Sequence, residues 1–203
     1  FKDIEHITDA FRKFIALLPK GGWFIGCSDD VRVKDLLARF AGNKLSYGMK
    51  DANFTPGNSP FDDMGNSSFD VIRDGKTLGR IELEIPGMHN IINSLAATAT
   101  ALTMGASFED IASALGEFRL AKRRFEYYGE RGGIKYFHDY AHHPAEVRAV
   151  LDAASRYPHN KLFVVFQCNS YTRAKTLFTK NVTCFAQADE VLVPAIYPGR
   201  EKD

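Results

Sequence analysis

Strand-length apolar runs alternate with helix-period stretches along this chain, and that alternation limits its fold more than any other feature. Trp23, Phe24, Ile25, Gly26 and Cys27 make one such run, and Leu162, Phe163, Val164, Val165 and Phe166 make another. Around the first run, apolar residues recur every three or four positions: Ile4, Ile7, Phe11, Phe14, Ile15 and Leu18, then Val33, Leu36, Leu37 and Phe40. Residues so spaced share one face of an α-helix, whereas a short continuous apolar run suits a buried strand. Pro19 and the pair Gly21 and Gly22 stop the first helix, and Asp29 or Asp30 can cap the second. Helices alternating with strands predict an α/β layer with a parallel sheet.

Residues 44–47 predict a second short strand, and residues 49–68 lack any period and predict a long loop or an irregular edge. Asp74, Gly75 and Lys76 separate two alternating runs, 69–73 and 78–85, which is a hairpin signal. An Ala-rich helix is expected from about His89 to Met104, stopped by Gly105, and Ser107 can cap a short helix after it. Near Lys122 the pattern restarts as strand, strand, helix, strand, helix, strand: 125–128, 134–140, 144–156, 161–167, 172–186 and 190–194. The expected domain boundary is therefore at about residue 121, with 1–121 and 122–203 as two α/β parts.

Composition narrows the function classes. A net charge of +1 argues against broad nucleic-acid coating. No apolar run approaches the roughly 20 residues of a membrane helix. Three widely spaced cysteines, Cys27, Cys168 and Cys184, offer no disulfide framework, which fits a reducing, cytoplasmic setting. The charged start without methionine and the abrupt end suggest an excerpt of a longer protein.

Four groups of residues can carry chemistry. Asp139, Tyr140, Ala141, His142, His143 and Pro144 place a carboxylate, a phenol and two imidazoles at a strand end just before a helix. Pro144 suits a first helical turn, where free backbone N–H groups attract anions. His89 and Asn93 share one helix face and could embrace an adenine ring, or simply cap the helix and bond to backbone. Lys122, Arg123 and Arg124 could bind phosphate or ribose, or form a solvated face. Tyr171, Thr172 and Arg173 follow a strand, where an arginine can meet an anion or lie on the surface. A zinc site from His138, Asp139, His142 and His143 competes, although neighbours on a strand point to opposite sides. The pair Asp62 and Asp63 and the lone His6 are weaker metal candidates, better explained as solvated.

Taken in order, these pieces resemble the Mur ligases, and most of all their alanine-adding branch. The stretches that carry the resemblance are residues 87–93, Arg123 to Glu126, Asp139 to Pro144, Phe166 and Gln167 with Tyr171 to Arg173, and the terminal Ile196 to Asp203. The resemblance spans essentially the whole chain. It implies an ATP- and magnesium-dependent ligase that makes an acyl phosphate and then an amide, with UDP-N-acetylmuramate and L-alanine as substrates. It makes residues 1–121 the later part of a central ATPase domain and 122–203 the first part of a Rossmann-like C-terminal domain. By the same resemblance His89 and Asn93 flank adenine, and Arg123, Arg124 and Asp139 reach the ribose and phosphates. Tyr140, His142 and Arg173 then face the sugar acid and the amino acid, with His142 and Arg173 in the catalytic role.

Two departures stand out. No GxxxxGK[ST] phosphate loop occurs in the sequence. The loop and the family's magnesium ligands are expected upstream of Phe1, so this chain alone is expected to be inactive. The family's Pro-His-basic segment is replaced by Cys168, Asn169 and Ser170, and Asn169 brings hydrogen bonds but no charge. A murein-tripeptide recycling ligase and a non-catalytic nucleotide-binding paralogue are the alternatives this segment leaves open, and a metal-dependent hydrolase is a third.

Overall fold

A computed structural model of the chain describes residues 2–59 and 66–197. Its contacts divide it into two compact units: one built from residues up to Glu117, the other from Phe118 onward, with Glu84–Met88 grouping with the second.

The first unit begins with α1 (Ile4–Ile15), capped by the Asp3 carboxylate, which accepts the His6 N–H at 2.8 Å. Next come β1 (Trp23–Cys27), α2 (Val31–Arg39) and β2 (Asn43–Tyr47), with β1 and β2 parallel. The helix lies tightly on the strand. A Cβ at Gly26 would stand only 2.8 Å from Val33 Cγ1, so a side chain there would push α2 away. Asp30 caps the start of α2 by accepting from Arg32 and Val33, and Lys44 Nζ donates to the carbonyls of Leu37 and Phe40 near its end.

The sheet continues through β3 (Phe54–Pro56), β4 (Asn66–Arg73) and β5 (Lys76–Pro86) in the order β1-β2-β3-β4-β5. It is mixed, because β3 runs antiparallel to β4 while β1, β2 and β3 are parallel. This corrects two expectations: the sheet is not wholly parallel, and the span 49–68 holds a strand. Three residues ending in proline are too short to show a period. The hairpin is where the sequence places it. Asp74 and Gly75 both take positive φ, +48° and +80°, as a tight two-residue turn requires.

The core of this unit lies where β4, β5 and α3 (Met88–Thr103) supply fully buried side chains: Phe69, Val71, Ile81, Ile91 and Leu95. The buried positions of α3 are Asn90, Ile91, Ser94, Leu95, Thr98 and Ala99, a stripe at helical spacing. The short helix α4 (Phe108–Glu117) follows, with Ser107 Oγ accepting the Asp110 N–H.

The second unit opens with an antiparallel pair, β6 (Glu126–Arg131) and β7 (Ile134–His138), followed by α5 (Pro144–Ala154). Then come β8 (Phe163–Val165), α6 (Tyr171–Thr176), α7 (Phe178–Thr183) and β9 (Glu190–Leu192), with β8 and β9 parallel. The expected single helix over 172–186 is two short ones, broken at Leu177, whose φ of −103° and ψ of 11° leave the helical region. Val147, Leu151, Phe166, Cys168 and Cys184 form the buried cluster of this unit. The parallel pair joined by helices matches the expected Rossmann-like pattern.

Candidate functional site

The acidic-imidazole stretch forms a backbone-bonded corner just beyond the carboxyl end of β7. Both oxygens of Asp139 are engaged: Oδ2 accepts the Phe125 N–H at 2.7 Å and Oδ1 accepts the Ala141 N–H at 2.6 Å. The Tyr140 N–H donates to the carbonyl of Arg123 at 2.8 Å, and the Arg123 N–H donates to Glu126 Oε2 at 2.8 Å. Asp139 and Tyr140 thus clamp the turn that carries the two arginines. That turn is strained: Arg123 and Phe125 have φ of +62° and +45° without being glycine. An aromatic group anchors it, with Phe125 stacked on Phe137 at 4.7 Å and both rings against Tyr157.

On the other side of the corner, His142 Nδ1 lies 2.9 Å from the Tyr140 carbonyl oxygen, and the two rings meet edge-on at 5.3 Å. His143 is the N-cap of α5, with its Nδ1 accepting the Ala145 N–H. Glu146, at the third helical position, completes a capping box by accepting backbone N–H groups. Burial raises the Glu146 carboxyl, but the His142 and His143 N–H bonds, helped by the His142 and Arg124 charges, outweigh it and hold it below the ordinary glutamate value. The side chains of Arg123, Arg124 and Tyr140 are exposed, and His142 is half-buried.

Arg173 lies on α6, in the segment that follows β8. Its N–H donates to the N-cap Ser170 Oγ at 3.0 Å, and the residue is half-buried. His89 and Asn93 sit in the first two turns of α3 in the other unit, His89 half-buried and Asn93 exposed. The structure therefore links Arg123, Tyr140 and His142 by direct hydrogen bonds, ties Asp139 to the same corner through the Phe125 and Ala141 N–H groups, and brings Arg124 within electrostatic reach of Glu146.

A cleft of about 580 Å³ lies beside the corner, lined by Phe137, Asp139, Ala141, Val147, Leu151 and Tyr157 among others. Among the described residues, no three His, Cys, Asp or Glu side chains stand close enough to share a metal ion. His138 instead packs its ring against Tyr128 at 5.6 Å. Asp62 and Asp63, and residues 198–203 of the terminal resemblance, lie outside the described residues.

The Mur ligase middle domain matches residues 1–101, and the Mur ligase glutamate ligase domain matches residues 123–202. The chain belongs to the Mur ligase family.

Its relatives among the Mur ligases agree with this. The UDP-N-acetylmuramate–L-alanine ligase of Clostridium botulinum (strain Alaska E43) is 43% identical over all 203 residues. The chain spans 44% of that relative's length. The solved UDP-N-acetylmuramate-alanine ligase of Thermotoga maritima superposes with a TM-score of 0.76 at 25% identity, over 97% of this chain and 42% of that one. MurF of Acinetobacter baumannii shares the fold at a TM-score of 0.81 and 18% identity, over 95% of this chain and 43% of that one.

The segment 168–170 is split between core and surface. Cys168 is buried in the apolar cluster of the second unit, and its Sγ points to the Ser170 carbonyl at 3.6 Å. Asn169 is exposed, so its uncharged amide lies on an accessible surface. Glu146 is the residue the motif reading missed. Its signal is the capping-box spacing from His143, obscured because histidine rather than serine or threonine stands at the N-cap.

Proposed function

We propose that the chain is part of a cytoplasmic ligase that joins L-alanine to UDP-N-acetylmuramate with ATP in peptidoglycan precursor synthesis. Residues 1–121 are then the later part of the central ATP-binding domain, and 122–203 the first part of the C-terminal domain. The observation that carries this reading is the 43% identity to an alanine-adding ligase along the whole chain. In the reaction, the sugar-acid carboxylate takes the terminal phosphoryl group of ATP, with ADP leaving. The alanine amine then attacks the acyl carbon and expels phosphate, forming the amide.

The residues present suit parts of this chemistry. His89 and Asn93 offer a ring and an amide to adenine. Arg123 and Arg124 present exposed guanidinium groups, which stabilise charge on a transferring phosphoryl group. Asp139 is an acceptor only, so it suits ribose hydroxyls rather than phosphate oxygens, and each of its oxygens keeps a lone pair beyond the backbone bond already made. Tyr140, His142 and Arg173 are assigned to the sugar acid and the amino acid, with His142 and Arg173 acting on the reacting groups. Among the described residues, no cluster of His, Cys, Asp or Glu is suited to hold magnesium.

The test is phosphate release by the full-length protein given ATP, UDP-N-acetylmuramate and L-alanine. Alanine-dependent turnover is expected. Turnover with a murein tripeptide and none with alanine would replace this reading by the recycling ligase, for which a difference around residues 168–173, where Cys168, Asn169 and Ser170 stand, is expected. No turnover with either amine would favour a non-catalytic paralogue.

A further inference from the structure

The hydrogen bonds at the start of α5 fix the proton positions on two adjacent imidazoles, and fix them oppositely. His142 Nδ1 lies 2.9 Å from the carbonyl oxygen of Tyr140. A carbonyl only accepts, so Nδ1 carries the hydrogen, and neutral His142 keeps its lone pair on Nε2. His143 Nδ1 lies 3.3 Å from the backbone nitrogen of Ala145. A backbone N–H only donates, so this Nδ1 is bare, and neutral His143 carries its hydrogen on Nε2.

One side chain serves both arrangements. Glu146 Oε2 accepts the N–H groups of His142 and His143, each at 3.1 Å, and stands 3.8 Å from His142 Nδ1. We propose that Glu146 is a positioning residue that holds the 142–143 backbone in place and faces the Nδ1–H of His142, so that His142 offers Nε2 as an acceptor. The role of that acceptor rests on the ligase reading: it meets the hydrogens of the incoming amine. Arg124, and His142 when protonated, are the charged groups facing the Glu146 carboxylate, and the imidazole of His143 adjoins it along the chain.

Ring-nitrogen NMR on the full-length protein, labelled with ¹⁵N-histidine, tests this directly because the two neutral tautomers differ in their nitrogen shifts. In the wild type, His142 is expected as the Nδ1–H form and His143 as the Nε2–H form. In Glu146→Ala, His142 moves toward the Nε2–H form. With L-alanine as the amine, kcat falls by about tenfold or more, as misplacement of a reacting group does. The KM for ATP stays within about twofold, since the hydrogen bonds of Glu146 go to the 142–143 backbone and not to the residues assigned to ATP. Glu146→Gln keeps an oxygen acceptor and recovers most of both properties. If the alanine variant does not fold, Glu146→Asp, one methylene shorter, takes its place with the same tautomer shift expected.

An unchanged His142 tautomer without the glutamate, or a glutamine variant no better than alanine, overturns the proposal. The nitrogen spectra need no turnover. A wild type without alanine-dependent phosphate release therefore refutes the ligase reading, while the tautomer result still decides the role of Glu146.

Discussion

The two units handle apolar strands in opposite ways. In the first, β4 and β5 alternate buried and accessible residues, and Phe69, Val71 and Ile81 are wholly buried beside α3. In the second, all five residues of β7 are exposed, and Val165 of β8 is 71% exposed. The sequence runs look alike, since both are rich in branched and aromatic residues. The contrast shows that an apolar run specifies a strand but not its burial, which depends on what packs against each face. It also shows two ways of holding geometry: packing in the first unit, and backbone hydrogen bonds to Asp139 and Glu146 in the second.

The sharpest way to break this contrast is to delete a core side chain from the first unit. Phe69→Ala is expected to cost about 3–5 kcal/mol in denaturant unfolding, the range for emptying a buried phenylalanine site. A cost near zero would mean that the sheet is not packed as described.

A smaller effect is expected at the hydrogen-bonded corner. The Glu146 carboxyl is held below its ordinary value, so its contribution to stability is present above the unfolded-state value and fades as pH falls through the folded one. Glu146→Gln removes that acid-range dependence, so the difference between wild type and variant in unfolding free energy should shrink as the medium becomes acidic. A constant difference down to strongly acidic pH would show that the carboxylate is not held this way.

The smallest effect belongs to the exposed strand. Val165→Ala should change stability by no more than about 0.5 kcal/mol, as surface substitutions do. A loss comparable to Phe69→Ala would show that β8 is covered in solution and would erase the contrast between the units.

Local chemistry made much of the fold legible. The Asp74 and Gly75 turn and the caps at Asp30 and Ser107 each follow from a side chain acting on its near neighbours. What the sequence hid depends on distant partners. The three residues of β3 become a strand through pairing with Tyr47 on one side and with 71–73 on the other. The break at Leu177 interrupts a stretch whose composition is helix-compatible throughout. At the candidate site, the motif residues were visible as types and spacings, but the clamp of Asp139 on Phe125 spans 14 positions and shows only in three dimensions.

The positive φ angles at Arg123 and Phe125 have a consequence of their own. Glycine is the residue that rests easily in that region, and any other gives up of the order of 1 kcal/mol there. A glycine at 123 would relax the chain and erase the guanidinium; at 125 it would do the same and remove the ring that anchors the segment. Comfort of the main chain and possession of these two side chains are thus mutually exclusive at this bend, and any gain in robustness made here would come out of the surface the bend displays.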